Sequence, residues 1–415
     1  MKQKLHPAWI FAAITFFTLF ATAGFRSAPS VLILPLEEDL GWRRDVISAA
    51  VAINVLLYGL TAPFAAALME RFTVRKVVMA ALFTVGTGAL GTIWMTKSWH
   101  FMLLWGVVVG VGTGSMALVF AATVANRWFV KRRGLVVGIL TAAAASGQLV
   151  FLPGLSKLAI DPGWRASSLV IALGAYLMVP LIFFFFKESP QSINTTPYGA
   201  ESDWVPPVLN KGSAAKNAID SLKAAVKVRN FWYLTGSFFV CGLSTSGLIG
   251  THFIPAAHDH GMVTVTAASL LALIGVFDVI GTIFSGVLTD RIDPRKLLFF
   301  YYFLRGLSLF LLPSILFSTL HPSTLVFIIF YGLDWVATVP PTVLLCRQVL
   351  GPDKGAVIYG WVFAAHQIGG SIAALGAALL RVKFGDYATA FYITGLLCVV
   401  TSYFVLQMNW VKEDK

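Results

Sequence analysis

The chain has 415 residues, of which 57% are hydrophobic and only 12% charged, about half the roughly 25% charge of an ordinary globular domain; this excludes a protein whose whole surface meets water. Its net charge of +12, from 31 Lys and Arg against 19 Asp and Glu, would point to nucleic acid if the cations formed a patch, but they sit between apolar runs, so no nucleic-acid partner is expected. The mean hydropathy of +0.79 points to a polytopic membrane protein whose main solvent is lipid.

Twelve apolar segments can be drawn, each near the roughly 20 residues that cross a hydrocarbon core as helix. They run Ala8 to Leu34, Val46 to Met69, Val77 to Met95, Phe101 to Ala125, Leu135 to Leu158, Ser167 to Phe186, Phe231 to Ala256, Thr266 to Leu288, Leu297 to Phe317, Thr324 to Cys346, Ala356 to Leu380 and Tyr387 to Trp410. They are too long for barrel strands and lack a period of two. The first could be a cleavable signal peptide, with Lys2 and Lys4 ahead of Trp9 to Phe20 and then Ala21-Thr22-Ala23. Its apolar stretch continues to Leu34, however, and the even count favours a retained span.

Most Lys and Arg fall in segments that share a side with the N-terminus, among them Arg71, Arg75 and Lys76, Arg127 to Arg133, and Lys187 to Arg229. Positive residues stay inside, so both termini are expected to be cytoplasmic in a multi-pass protein of the cell inner (plasma) membrane. The longest connection is rich in Pro, Ser, Asn, Lys and Ala and reads as a flexible linker, with room for a surface helix from Ala214 to Val228. It divides the chain into an N-terminal six-helix bundle (1–186), a cytoplasmic linker (187–230) and a C-terminal six-helix bundle (231–415). Glu70-Arg71-Phe72-Thr73-Val74-Arg75-Lys76 in the first half recurs as Asp290-Arg291-Ile292-Asp293-Pro294-Arg295-Lys296 in the second. The expected fold is therefore an all-α membrane protein of twelve transmembrane helices in two pseudo-symmetric six-helix bundles, a duplicated construction typical of secondary transporters.

Those two charged stretches resemble the signature of the major facilitator superfamily, and the resemblance covers essentially the whole chain. Glu70 stands for the usual Asp, Thr73 for the usual Gly, and the second copy carries Asp293-Pro294. Within the superfamily, Arg127-Trp128-Phe129-Val130-Lys131-Arg132-Arg133-Gly134-Leu135-Val136-Val137-Gly138 and Glu38-Asp39-Leu40-Gly41-Trp42-Arg43 are similar to the monocarboxylate porter family. Asp334-Trp335-Val336-Ala337-Thr338-Val339-Pro340-Pro341 and Phe363-Ala364-Ala365-His366-Gln367 resemble a bacterial subgroup of it. The resemblance implies the major facilitator fold and proton-linked or exchange transport of small organic anions. One departure matters: members that carry lactate-like acids tend to have Arg four residues after the Asp of the eighth span, where this chain has Thr282 after Asp278. The fifth span also lacks the Gly-Pro-rich stretch of drug-proton antiporters, which weighs against drug efflux.

Ionisable groups at bilayer depth cost on the order of 3 kcal/mol each even on a permissive scale, so each needs a partner or a purpose. Four stand out: Arg26, Asp278, Arg305 and Asp334. Arg26 continues a polar stripe of Thr15, Thr18 and Thr22, beside Gly24 and Pro29, and its guanidinium suits a carboxylate gripped by two parallel hydrogen bonds; snorkelling to the headgroups is the alternative. Asp278 is mid-span with Thr282, Ser285 and Thr289 on one face and reads as a proton carrier or as half of an ion pair with Arg26 or Arg305. Asp334 is a second proton-coupling candidate, and at comparable depth to Arg305 it reads more readily as the partner in a structural ion pair.

Substrate contacts are expected from Asn54, Tyr58, Gln148, Tyr359, His366 and Gln367 beside Arg26, and charge contacts that close the cytoplasmic side from Glu70, Arg71, Arg75, Asp290, Arg291 and Arg295. Gly106, Gly110 and Gly114 recur at four-residue spacing, a packing signal. The other histidines are expected mostly in loops or at segment ends, and His258-Asp259-His260 lacks a third ligand placed by sequence, so no metal is expected. Cys241, Cys346 and Cys398 have no Cys-x-x-Cys spacing and read as packing residues. Without a phosphate-cradling Gly-Lys-Ser/Thr loop, ATP-driven transport and a bound cofactor are not expected, nor is an enzyme. The reading is a monomer in membrane lipid that moves a small organic anion by alternating access with a proton; an exporter of hydrophobic or cationic compounds and a non-transporting ligand sensor are the rivals.

Overall fold

In lipid a backbone N–H or C=O finds a partner only within protein, which favours helices. Beyond an isolated bridge between Phe129 and Tyr198, the described residues form no strand. The computed structural model describes residues 6–132, 136, 139, 140, 143, 151–200, 214–289, 291–351 and 354–409; the side chains at 26, 27, 63, 66, 67, 70, 71, 117–119, 122, 126, 214 and 356 lie outside that description.

The helices are α1 (Pro7–Leu40), α2 (Arg44–Phe72) and α3 (Val74–Thr92), then α4 at 98–128, built from Ser98–Phe101, a π-helical Met102–Val109, Gly110–Gly114 and Ala117–Trp128. The described end of α5 spans 151–158, and α6 is Trp164–Phe185. After the linker come α7 (Ala214–Ala225), α8 (Arg229–Asp259), α9 (Thr264–Thr289), α10 (Pro294–Ile315), α11 (Pro322–Leu350), α12 (Gly355–Phe384) and α13 (Ala388–Val405). Ten stretches are long and apolar enough to cross a membrane, and Ser98–Gly114 is a shorter apolar helix. Phe151–Phe185 counts among the ten as one stretch, yet it is two. Ser167 Oγ donates to the Leu155 carbonyl at 3.0 Å, whereas residues twelve apart along one helix are separated by about 18 Å. The chain therefore doubles back near Asp161, whose φ of −141° and ψ of 113° are not helical. Among the described residues, helices α1 to α6 precede the linker and, apart from α7, helices α8 to α13 follow it, the division into two bundles expected from the sequence.

Large apolar side chains such as Phe183, Phe184 and Phe185 on α6 and Ile283 and Phe284 on α9 face outward, the arrangement expected where lipid is the solvent. Close packing inside uses small residues. A methyl at Gly110 would lie 3.0 Å from the Asn54 Cα, and one at Gly114 2.7 Å from the Tyr58 carbonyl, so the glycine row of α4 lets it press directly on the backbone of α2.

The described chain ends share one face. His6 packs edge-on against Tyr198 beside Phe129 at the end of α4, and Asn230 Nδ2, at the start of α8, donates to the Asn409 carbonyl at 2.7 Å. This is the terminal face and its opposite the far face. Helix α7 lies at the terminal face against α2, α11 and α12, with Trp361 Nε1 donating to the Ala218 carbonyl at 3.0 Å.

Candidate functional site

A cavity of about 100 Å³ lies between the bundles; apolar side chains such as Val51, Val55, Leu152, Leu271 and Ile274 line part of it, and its polar groups are Ser30 from α1, Asn54 and Tyr58 from α2, Ser246 and Thr251 from α8, Asp278 from α9 and Gln367 from α12. Asn54 is held by its amide nitrogen, which donates to the Trp105 carbonyl at 2.7 Å. Gln367 is 3% exposed and packs over Gly59, where a Cβ would collide with it. Of the residues singled out in the sequence, Asn54, Tyr58, Asp278 and Gln367 are thus brought together.

Tyr359 and His366 are on the same helix as Gln367 but outside this lining. The His366 ring stacks on Phe363 with centroids 5.7 Å apart and tilts against Phe238 at 4.9 Å; its Nε2 is 3.4 Å from Thr245 Oγ1, and Nδ1 is buried without a hydrogen-bond partner among the described residues. Tyr359 rests on Phe238 and Phe363. Arg26 falls in α1, three and four residues before the cavity residues Pro29 and Ser30; its side chain, and Gln148 altogether, lie outside the described residues.

The most consequential feature is a break in α11. Its helix stops at Asp334 and resumes at Val339, where Pro340 and Pro341 open the second piece. Proline is tolerated there because first-turn N–H groups have no partner to lose. Freed backbone groups in the break are taken up by neighbours. Val336 N–H donates to Asp278 Oδ1 at 3.0 Å, and Thr282 Oγ1 donates to the same oxygen at 3.0 Å. Ser285 Oγ donates to the Ala337 carbonyl, and Arg305 Nη2 to the carbonyls of Asp334 and Trp335.

Arg305 and Asp334 pair in the same place: Nε donates to Asp334 Oδ2, with side-chain exposures of 0% and 7%. Arg305 Nη1 donates to Cys241 Sγ at 3.0 Å and Ser244 Oγ at 3.3 Å. Asp334 Oδ1 is left buried without a hydrogen-bond partner among the described residues. Asp278, by contrast, takes both of its hydrogen bonds on Oδ1, makes no ion pair among the described residues and lines the cavity.

On the terminal face, Glu188 accepts from the backbone N–H groups of Val74 and Arg75 at the start of α3 and from Arg127 Nη1 at 3.2 Å, a carboxylate set against a helix N-terminus. Arg295 pairs with Asp293 at 2.8 Å and donates to the Met408 carbonyl at 2.7 Å. Burial pushes the Asp293 carboxyl up, but hydrogen bonds from the Arg295 side chain and backbone outweigh it and hold its pKa below the usual value. Arg291 is exposed; the side chains of Glu70 and Arg71, and all of Asp290, lie outside the described residues. Neither described pair joins the two bundles: Glu188, at the start of the linker, is tied to the first, and Arg295–Asp293 lies within the second.

The far face differs, and little in the sequence pointed to it. Arg44 at the start of α2 donates through Nε and Nη2 to Glu37 Oε2 at 2.9 and 2.6 Å, and through Nη1 to both oxygens of Asp259 on α8 at 3.2 and 3.1 Å. Arg381 Nε donates to Asp259 Oδ2 at 2.6 Å. His252, expected near a segment end, is inside α8 and fully buried. Its Nε2 is 2.7 Å from the Ala374 carbonyl and its Nδ1 3.1 Å from the Tyr387 hydroxyl, which lies 3.5 Å from Arg44 Nη1. No group of three His, Cys, Asp or Glu suited to a metal ion occurs among the described residues.

The sequence profile of the Major Facilitator Superfamily matches residues 14–374. The chain is 24% identical over 406 residues to the MFS-type transporter YcxA of Bacillus subtilis (strain 168), covering 96% of this chain and 94% of that protein. It is 25% identical over 359 residues to monocarboxylate transporter 13 of Rattus norvegicus, covering 85% and 77%. Among solved structures, a bacterial homolog of the human lysosomal transporter Spinster, in an inward-facing and unoccupied conformation, superposes with a TM-score of 0.71 at 13% identity, covering 98% of this chain and 95% of that one. A single-residue variant of the E. coli fucose:proton symporter, FucP, gives 0.59 at 17%, covering 97% and 99%. At these identities the solved structures speak to the fold alone.

Proposed function

Because the chain belongs to the Major Facilitator Superfamily, whose members are transporters rather than enzymes, we propose that it moves a small, monocarboxylate-like organic anion across a membrane by alternating access, coupled to a proton. The cargo site is the cavity between the bundles. Arg26 grips the carboxylate, and Asn54, Tyr58 and Gln367 meet the rest of the molecule, with Gln148, Tyr359 and His366 as outlying contacts. Asp278 carries the proton. The terminal face is cytoplasmic and the membrane is the cell inner membrane, with the chain acting as a monomer of two bundles, 1–186 and 231–415, joined by the linker 187–230. Rocking of the bundles exposes the site to each side in turn, and the terminal-face charges Glu70, Arg71, Arg75, Asp290, Arg291 and Arg295 close the cytoplasmic side.

The observation that carries this reading is Asp278: a carboxyl group 7% exposed, on the cavity wall, with no ion-pair partner among the described residues. A lone charge is expensive at that depth. A group that gains and loses a proton as cargo comes and goes avoids holding it permanently. Sequence similarity to monocarboxylate transporters supports the choice of cargo.

The test is uptake by the purified protein in liposomes, with labelled mono- and dicarboxylates and hydrophobic cations offered under imposed pH gradients. Saturable monocarboxylate uptake, accelerated by a proton gradient and abolished in Arg26→Ala without a change in melting temperature, is the expected outcome. Transport of cations alone, or normal carboxylate affinity in Arg26→Ala, would overturn it.

A further inference from the structure

Four charged side chains meet on the far face, and their bonds divide by bundle. Glu37 and Arg44 belong to α1 and α2; Asp259 and Arg381 belong to α8 and α12. Within the first bundle Arg44 gives Nε and Nη2 to Glu37, and within the second Arg381 gives Nε to Asp259. The described bonds of Arg44 that cross between bundles leave from one nitrogen, Nη1, to the carboxylate of Asp259 and the hydroxyl of Tyr387. Arg44 is only 8% exposed at its side chain, so its charge is poorly hydrated and depends on these partners.

We propose that Arg44 is the latch of the far face, built so that opening leaves no charge unpaired. When the bundles part, Nη1 lets go of Asp259, but Arg44 keeps Glu37 and Asp259 keeps Arg381. Each bundle departs with one cation and one anion. The penalty that normally makes a half-buried ion pair hard to break, a stranded charge, is avoided, and the latch can cycle. This rests on the alternating-access reading above and adds residues to it that are distinct from the terminal-face charges.

Donor chemistry fixes the rest of the assembly. Arg44 can only donate, so Tyr387 Oη accepts from it; a carbonyl can only accept, so His252 Nε2 carries the proton shared with Ala374. Nδ1 of that neutral ring is then an acceptor, and it takes the Tyr387 proton. The relay runs Arg44 to Tyr387 to His252 to Ala374, and its last member packs on Val51 and Ala52 of α2. Tyr387 and His252 are positioning residues that aim the surface on which Nη1 closes.

The latch makes a prediction of sign. Removing the cross-bundle bond favours opening, whereas removing a partner that stays behind in the open state favours closure. The readout is the distance between spin labels at Glu38→Cys and Lys383→Cys, exposed far-face positions on opposite bundles, in the full-length protein; Cys241, Cys346 and Cys398 are buried. Asp259→Asn is expected to raise the long-distance population on the order of fivefold, and Tyr387→Phe to raise it by less while leaving the fold intact. Glu37→Gln and Arg381→Gln are expected to shrink it. Unchanged distances in both Asp259→Asn and Tyr387→Phe, or a shift of all four variants in one direction, would overturn the latch. The measurement uses no cargo, so failure of the anion reading shows in the uptake assay and failure of the latch shows here.

Discussion

Asp278 and Asp334 are both carboxyl groups near the middle of the bundle, both touch the break in α11, and they are treated in opposite ways. Asp334 is closed off: Arg305 occupies one oxygen and the carbonyls beside it, so the pair is a fixed cross-brace between α10 and α11. Asp278, like Asp334 bonded through one oxygen, is met by a hydroxyl and a backbone N–H and by no cation among the described residues, with the cavity beside it. Neutralised burial builds structure; an acid that meets no cation among the described residues and borders a cavity is available for work. The comparison also answers the missing Arg four residues after Asp278. Thr282 takes that place with a hydrogen bond, and Arg305 is committed to a different acid.

The harshest way to break the contrast is Arg305→Ala, which strands Asp334 and is expected to destabilise the protein by about 3 to 5 kcal/mol in thermal unfolding, with transport lost because little protein folds. Replacing both partners by apolar residues, Arg305→Met with Asp334→Leu, should recover most of that loss. Next is Gly281→Ala. The added methyl would run into the backbone of Leu333 and push α9 from α11, costing about 1 to 3 kcal/mol and separating Asp278 from Val336. Asp278→Asn keeps an acceptor for Thr282 and Val336, so its melting temperature should stay close to that of the parent while proton-driven uptake falls on the order of tenfold and loses its pH dependence. The mildest probe, Thr282→Val, removes one hydrogen bond, about 1 kcal/mol, and should leave uptake measurable. If Asp278→Asn proved as unstable as Arg305→Ala, the two acids would be doing the same job and the contrast would fail.

How much of this could be read in advance follows from the solvent. Lipid demands long apolar helices, so spans are legible from hydropathy, and among the described residues Ser167 and Leu155 make visible the turn expected between the fifth and the sixth. Deep charges were equally legible, because Arg305 and Asp334 stand out in any apolar run. The break in α11 was written in Pro340 and Pro341, but inside a continuous apolar span they read as a family motif rather than as the first turn of a new helix. The far-face cluster was beyond reach. Arg44 and Arg381 carry no motif, Asp259 stands in a His-Asp-His stretch that lacks a third metal ligand, and nothing in a single sequence pairs residues as distant as Arg44 and Asp259. His252 was misplaced for a related reason: a polar residue close to a segment end looks exposed until a tyrosine and a carbonyl from other helices are found around it.

The glycine row of α4 carries a consequence for comparing relatives of this chain. At 106, 110 and 114 an added methyl would lie 3.1, 3.0 and 2.7 Å from the backbone of α2, so drift at these sites should be rarer than at the polar positions Asn54, Tyr58 and Gln367 on the cavity wall. Three glycines one turn apart are then a marker of shared construction among proteins that no longer transport the same compound.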